Sequence, residues 1–166
     1  LNTTGWLAIY GALLSSFTAG WNAVRDLGDR AKVKIHATIG YVHQSEAGDY
    51  FLSAAFVAKN KLQIDQSPLL KVTFTNVGRR AITLTQWGAK LRKGEKTGFK
   101  VAIAKSLPVK IDEGAYTHET TDDLSILDDK TTRLFVLDST GKYWYIPRSK
   151  LRTVRDQLNE FTNRTK

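Results

Sequence analysis

The residues best able to do chemistry in this 166-residue chain are its three histidines, His36, His43 and His118. Two imidazoles reach one metal when a spacing such as H-x3-H or HExxH brings them onto one side of a helix. No such spacing occurs, and His36 falls on the polar side of a strand-like alternation, where an imidazole ring is solvated. The acidic pairs Asp122-Asp123 and Asp128-Asp129 in "TDDLSILDD" offer carboxylate oxygens without the D-x-D-x-D-G order of a calcium loop, and read as a solvated acidic loop. No G-x-S-x-G elbow presents a serine, and no G-x-x-x-x-G-K or G-x-G-x-x-G stretch could cradle a phosphate. Cysteine is absent, which removes disulfides, thiolate metal sites and a cysteine nucleophile. The pattern supplies no catalytic residue, no metal site and no cofactor.

A net charge of +9 draws nucleic acid, an anionic membrane surface or an acidic protein alike. Trp87, Tyr143, Trp144 and Tyr145 beside basic residues could form a base-stacking platform. In "KYWYIPR", however, alternation sends Tyr143 and Tyr145 to one face and Trp144 to the other, so part of this cluster is core. No nucleic-acid-binding motif is present, and nucleic acid is the less favoured partner.

The elements that must position these groups begin with "GWLAIYGALLSSFTAGWNAVRDLGDRAKVK" at 5–34, which holds no charge from Gly5 to Val24. On a helical wheel Leu7, Tyr10, Leu13, Leu14, Phe17, Trp21 and Val24 share one face. The other face gathers Ala8, Gly11, Ala12, Ser15, Ser16, Ala19, Gly20, Asn22 and Ala23, in the small-xxx-small spacing that lets two helix backbones approach in lipid. Residues 6–24 span about 28 Å at roughly 1.5 Å per residue, against a hydrocarbon core of about 30 Å. Two readings compete: a transmembrane helix paired through its small face, or a soluble helix burying its bulky stripe as core. The first is preferred, because glycines 11 and 20 each cost a soluble helix about 1 kcal/mol relative to alanine.

Arg25, Arg30, Lys32 and Lys34 follow the helix at once, and no basic residue precedes it. The positive-inside rule then gives a single-pass protein of the inner membrane, its C-terminal domain cytoplasmic. Because the chain starts at Leu1 and holds no methionine, an upstream part of the gene product is expected.

From Ala31 the apolar period becomes two: Val33, Ile35, Ala37, Ile39 and Tyr41 alternate with polar neighbours. Further strands are expected at 50–58, 70–75, 81–87, 99–105 and 115–120, with a hairpin of 132–138 and 143–146 across "STGK". The "RKGEKTG" stretch at 92–98 reads as a basic turn. The chain closes with Leu151, Val154, Leu158 and Phe161 at helical spacing, started by Pro147 and Ser149. Lys150, Arg152 and Arg155 crowd its first half, where the helix dipole disfavours cations, so they either face water or join the basic flank of helix 1 in contacting anionic lipid. The fold class is mainly β: an antiparallel immunoglobulin-like β-sandwich with an N-terminal transmembrane helix and a C-terminal amphipathic helix. The corresponding segments are 1–30, 31–147 and 148–166.

The uncharged span before "RDLGDRAKVKI", then "LKVTFTNVGRRAITLTQWG" and "LPVKIDEG", resembles small bacterial single-pass membrane proteins that carry an immunoglobulin-like sandwich without assigned activity. "TNVGRRAIT" is similar to the N-x-G turn of such sandwiches; in "LPVKIDEG", Asp112-Glu113-Gly114 stands where that class has proline-glycine. The resemblance implies a fold and a location, and no catalytic residues. The expected function is a membrane-tethered, non-enzymatic interaction or scaffold domain that meets itself or another membrane protein through the small face of helix 1. The alternative is a soluble basic module for nucleic acid or another anionic ligand, with helix 1 as core.

Overall fold

The computed structural model of the chain describes residues 3–28, 30–45, 48–60, 67–92 and 98–164. The opening helix α1, Thr3–Gly28, runs through the whole uncharged span. Strand β1, Val33–Ser45, follows and pairs with β2, Gly48–Ser53. The next strands are β3, Leu69–Asn76, and β4, Ile82–Leu91. Then come the short β5, Phe99–Val101, and β6, Val109–Ile111, followed by β7, Tyr116–Thr121. A hairpin of β8, Thr131–Asp138, and β9, Tyr143–Tyr145, leads into helix α3, Arg148–Arg164; α2, Ala54–Lys59, is a single short helix after β2.

The strands form two antiparallel sheets, ordered β2-β1-β3-β7 and β5-β4-β8-β9, with β6 also pairing β4. Alternation explains the packing: Ile35, Ala37 and Ile39 of β1 stand opposite Phe74, Val72 and Leu70 of β3, and all six are buried. They meet Leu84, Trp87, Leu134 and Val136 of the second sheet in one core. The Phe74 and Trp87 rings approach to 6.4 Å across the interface. Each such fully buried side chain contributes about 1.5–3 kcal/mol relative to exposure. Leu151 and Val154 of α3 complete the core, and α3 packs on β1, β8 and α2. The fold is thus sandwich-like, mainly antiparallel β, with helices at both ends of the described chain.

Several expectations need correction. The strand expected over 50–58 stops at Ser53, whose hydroxyl accepts the Phe56 N–H at 3.2 Å and caps α2. In the 99–105 stretch the strand ends at Val101, short of the expected length, and Phe99, Val101 and Ile103 are all exposed. In "TDDLSILDD" the aspartates of both pairs are exposed, as expected of a solvated acidic stretch, but Leu124–Leu127 between them form a 3-10 turn that buries Ile126 and Leu127. Of the basic turn at 92–98, residues 93–97 lie outside the described residues.

The opening helix brings the largest correction. Among the described residues no helix is long and apolar enough to cross a membrane. Glycine, serine and threonine, with Asn22, dilute the few leucine, isoleucine, valine and phenylalanine side chains of α1. Nor is α1 part of the sandwich core, because residues 6–25 are exposed throughout.

Candidate functional site

The bulky stripe foreseen on α1 is present and uncovered: Leu13 is 65% exposed, Phe17 72% and Trp21 63%. Its small face, Ala8, Gly11, Ala12, Ser15, Ser16, Ala19, Gly20, Asn22 and Ala23, is equally exposed. A methyl group added at Gly11 or Gly20 would meet no atom of this chain within 4 Å. Two hydroxyls on the helix are satisfied internally. Ser15 donates to the Gly11 carbonyl at 2.8 Å, and Thr18 donates to the Leu14 carbonyl at 2.8 Å. Such back-bonding spares a helix the cost of carrying unpaired hydroxyls into an apolar medium.

Below the helix the basic flank gathers more cations than the local sequence shows. Arg25, Arg30, Lys32 and Lys34 are exposed. The β3–β4 turn lies against this linker: Val77 N–H donates to the Lys32 carbonyl at 2.8 Å. A Cβ at Gly78 would come within 2.3 Å of the Arg30 carbonyl, so the close approach requires glycine. Asn76, fully buried, holds the turn. Its Nδ2 donates to the carbonyls of Arg80 (2.8 Å) and Ile111 (3.1 Å), and its Oδ1 accepts the Gly78 N–H at 3.0 Å. Arg79 is thereby carried to the foot of α1, where Trp21, Val24, Arg25 and Arg79 line a recess of ≈ 320 Å³. Sequence reading missed Arg79 and Arg80; the asparagine and glycine of "TNVGRR" announced a turn but not what it would touch.

The C-terminal cations divide. Lys150 and Arg152 are exposed on α3. Arg155 is not a lipid contact: Nε donates to the Leu127 carbonyl at 2.9 Å, and one terminal nitrogen bonds the carbonyls of Asp128 and Thr131. Its guanidinium ties α3 to the 3-10 turn and the start of β8.

The aromatic cluster also divides. Trp87 is fully buried, because a register shift between Leu84 and Gln86 rephases β4 and turns the indole inward. Tyr143 and Tyr145 do share the outer face, joined there by Phe99 and Phe135. Tyr143 stacks on Phe99 at 5.3 Å and on Tyr145 at 6.1 Å. Lys90 and Arg133 stand over these rings.

Trp144 turns away and donates Nε1–H to Asp138 at 2.9 Å. Burial works to raise the Asp138 pKa. Hydrogen bonds from Thr140, Trp144 and the Lys142 backbone outweigh it and hold the carboxyl below the usual aspartate range. Asp123 is also held low, by the Ser125 hydroxyl first and then by Lys100, its ion-pair partner at 3.0 Å. The acidic segment is therefore structural: Asp123 caps the 3-10 turn, and Asp128 accepts the Lys130 and Thr131 N–H groups. Of the histidines, His36, His43 and His118 are all exposed.

No family model matches the chain, and no curated protein sequence is significantly similar to it. Among solved structures, the chain is similar to the X-ray structure of Northeast Structural Genomics Consortium target SoR45. The two are 12% identical over 72% of this chain and 83% of that one, with a TM-score of 0.29.

Proposed function

We propose that this protein is a membrane-tethered, non-enzymatic interaction domain, an immunoglobulin-like sandwich held at the bilayer by α1. The observation that carries the reading is the exposure of the entire α1 stripe, from Leu7 through Val24. A stripe of leucine, phenylalanine, tryptophan and tyrosine left uncovered by its own chain has its partner elsewhere. An interfacial helix carries a strongly charged face, and α1 has no charge from Gly5 to Val24. Alone, α1 falls short of a spanning helix. Its shortfall lies on the small face, and pairing that face with a second helix removes it from lipid. The partner is a second copy of the chain or another membrane protein, and Asn22 offers a hydrogen bond across the pair. The basic flank sets the sandwich on the cytoplasmic side of the inner membrane.

Carbonate extraction of cell membranes tests the tether: the full chain stays in the pellet. Release into the supernatant refutes it. Crosslinking in membranes tests the pairing, which Ala12→Leu with Ser16→Leu abolishes if the small face is the contact.

A further inference from the structure

We infer that the open edge of β5 is a contact between two copies of this chain, joined by antiparallel strand pairing about a two-fold axis at Val101. The register of β5 on β4 shows which backbone groups are already committed. Leu91 N–H donates to the Gly98 carbonyl at 3.1 Å, and Ala102 N–H donates to the Trp87 carbonyl at 2.9 Å. In an antiparallel pair such bonds recur at every second residue, so Gly98, Lys100 and Ala102 turn their backbone groups towards β4. Phe99, Val101 and Ile103 turn theirs outwards, and among the described residues no other hydrogen bond reaches them. The same three side chains are exposed, Ile103 at 90%, while Ala102 and Ala104 pack against the core. Phe99 continues the apolar surface across the sheet, stacking on Tyr143 at 5.3 Å and meeting Phe135 at 5.4 Å.

An edge with unpaired backbone and an alternating apolar stripe is a template for a further strand. The other outermost strands are less open. The Ser106 hydroxyl sits on the His118 carbonyl of β7 at 3.3 Å, β2 runs into α2, and β9 runs towards Pro147. The occupant of the β5 edge follows from symmetry. Opposed about Val101, two copies of the stripe set Phe99 against Ile103 of the second copy, and Val101 against Val101. Each facing position is turned outwards in both copies, so every pair exchanges both of its N–H···O=C bonds. Every side-chain pair is also apolar. One patch thus completes itself, as an isologous dimer requires. Charge points the same way: at +9 the chain repels its own copy except where it presents no net charge. From Gly98 to Ala104 the single charge is Lys100, and Asp123 holds it at 3.0 Å. The pairing does not depend on α1 lying in lipid.

The test uses the full chain in mild detergent and relies on the absence of native cysteine. Val101→Cys, treated with the short thiol crosslinker dibromobimane, crosslinks to itself as a dimer. Phe99→Cys and Ile103→Cys crosslink when mixed and neither does so alone, because identical positions stand about 13 Å apart along the strands. Ile103→Lys in the Val101→Cys chain acts at both symmetric ends, lowers the yield about ten-fold and leaves the melting temperature in place. Val101→Cys with Ala12→Leu and Ser16→Leu crosslinks as well as before, which separates this contact from pairing through α1. No dimer from a folded Val101→Cys chain, or as much dimer from Lys150→Cys on α3, overturns the contact. A yield that falls with the α1 substitutions shows tethered copies colliding and overturns it too. Equal crosslinking of Phe99→Cys alone and in the mixture overturns the register. In cell membranes, a Val101→Cys product with a different protein and none with itself overturns the second copy as the occupant.

Discussion

Replacing Asn76 tests how the β3–β4 turn is held against the linker. The side chain is fully buried and makes three hydrogen bonds, to the Arg80 and Ile111 carbonyls and from the Gly78 N–H. Each buried bond contributes about 1 kcal/mol net, and a buried group left without a partner costs about 1–3 kcal/mol more. Asn76→Ala therefore destabilises the sandwich by about 3–5 kcal/mol, a large part of the roughly 5–15 kcal/mol of a typical domain. Asn76→Asp separates this account from simple loss of volume. It keeps the acceptor for Gly78 but sets a carboxylate oxygen against two carbonyl oxygens. The expected order of stability is wild type, then Ala, with Asp equal to Ala or below it. Urea unfolding of the full chain in mild detergent, followed by far-UV circular dichroism, measures it. A loss under about 1 kcal/mol for Asn76→Ala, or an Asp variant near wild type, refutes the reasoning.

Arg155→Ala costs about 2–3 kcal/mol in the same unfolding assay, because three carbonyls lose their donor, and Arg155→Lys recovers only part of it; neither changes flotation with anionic vesicles. Asp138 has a lowered pKa in the folded chain, so its contribution is complete above the unfolded aspartate value of about 3.9 and is lost as pH falls through the lower folded value. Asp138→Asn is accordingly less stable than wild type at pH 7, and the gap closes below about pH 4; a gap independent of pH contradicts this. Phe17→Ser, at a position 72% exposed, shifts sandwich stability by less than about 0.5 kcal/mol, whereas a loss of several kcal/mol shows that the stripe packs on the β-domain.

What was legible in the sequence were periodicities. Alternation from Val33 to Tyr41 and from Leu70 to Phe74 marked strands that pair across their full length. The spacing of Leu151 and Val154 marked the buried side of α3, and "KYWYIPR" correctly sent Tyr143 and Trp144 to opposite faces. Where a single residue changes the phase, the pattern misled. The irregularity after Leu84 turned Trp87 inward, and Ser53 ended a strand by capping a helix. Long-range placement left no local trace at all. Nothing near Arg79 announces that its turn abuts residues 30–32, nor does the basic run before Arg155 reveal three carbonyls 24 to 28 residues away. For α1 the faces were readable from residue types, while its relation to the sandwich was not, because amphipathicity does not say which surface covers it.

The central claim is that the α1 stripe lies in lipid, and the absence of cysteine makes a direct measurement simple. A single nitroxide at Leu13→Cys, in the full chain reconstituted in liposomes, is examined for collision with oxygen and with a water-soluble nickel chelate. The account predicts ready collision with oxygen and protection from nickel at this position, and nickel access at a label on Lys34→Cys. Free access of nickel to position 13, with the protein still folded, contradicts it.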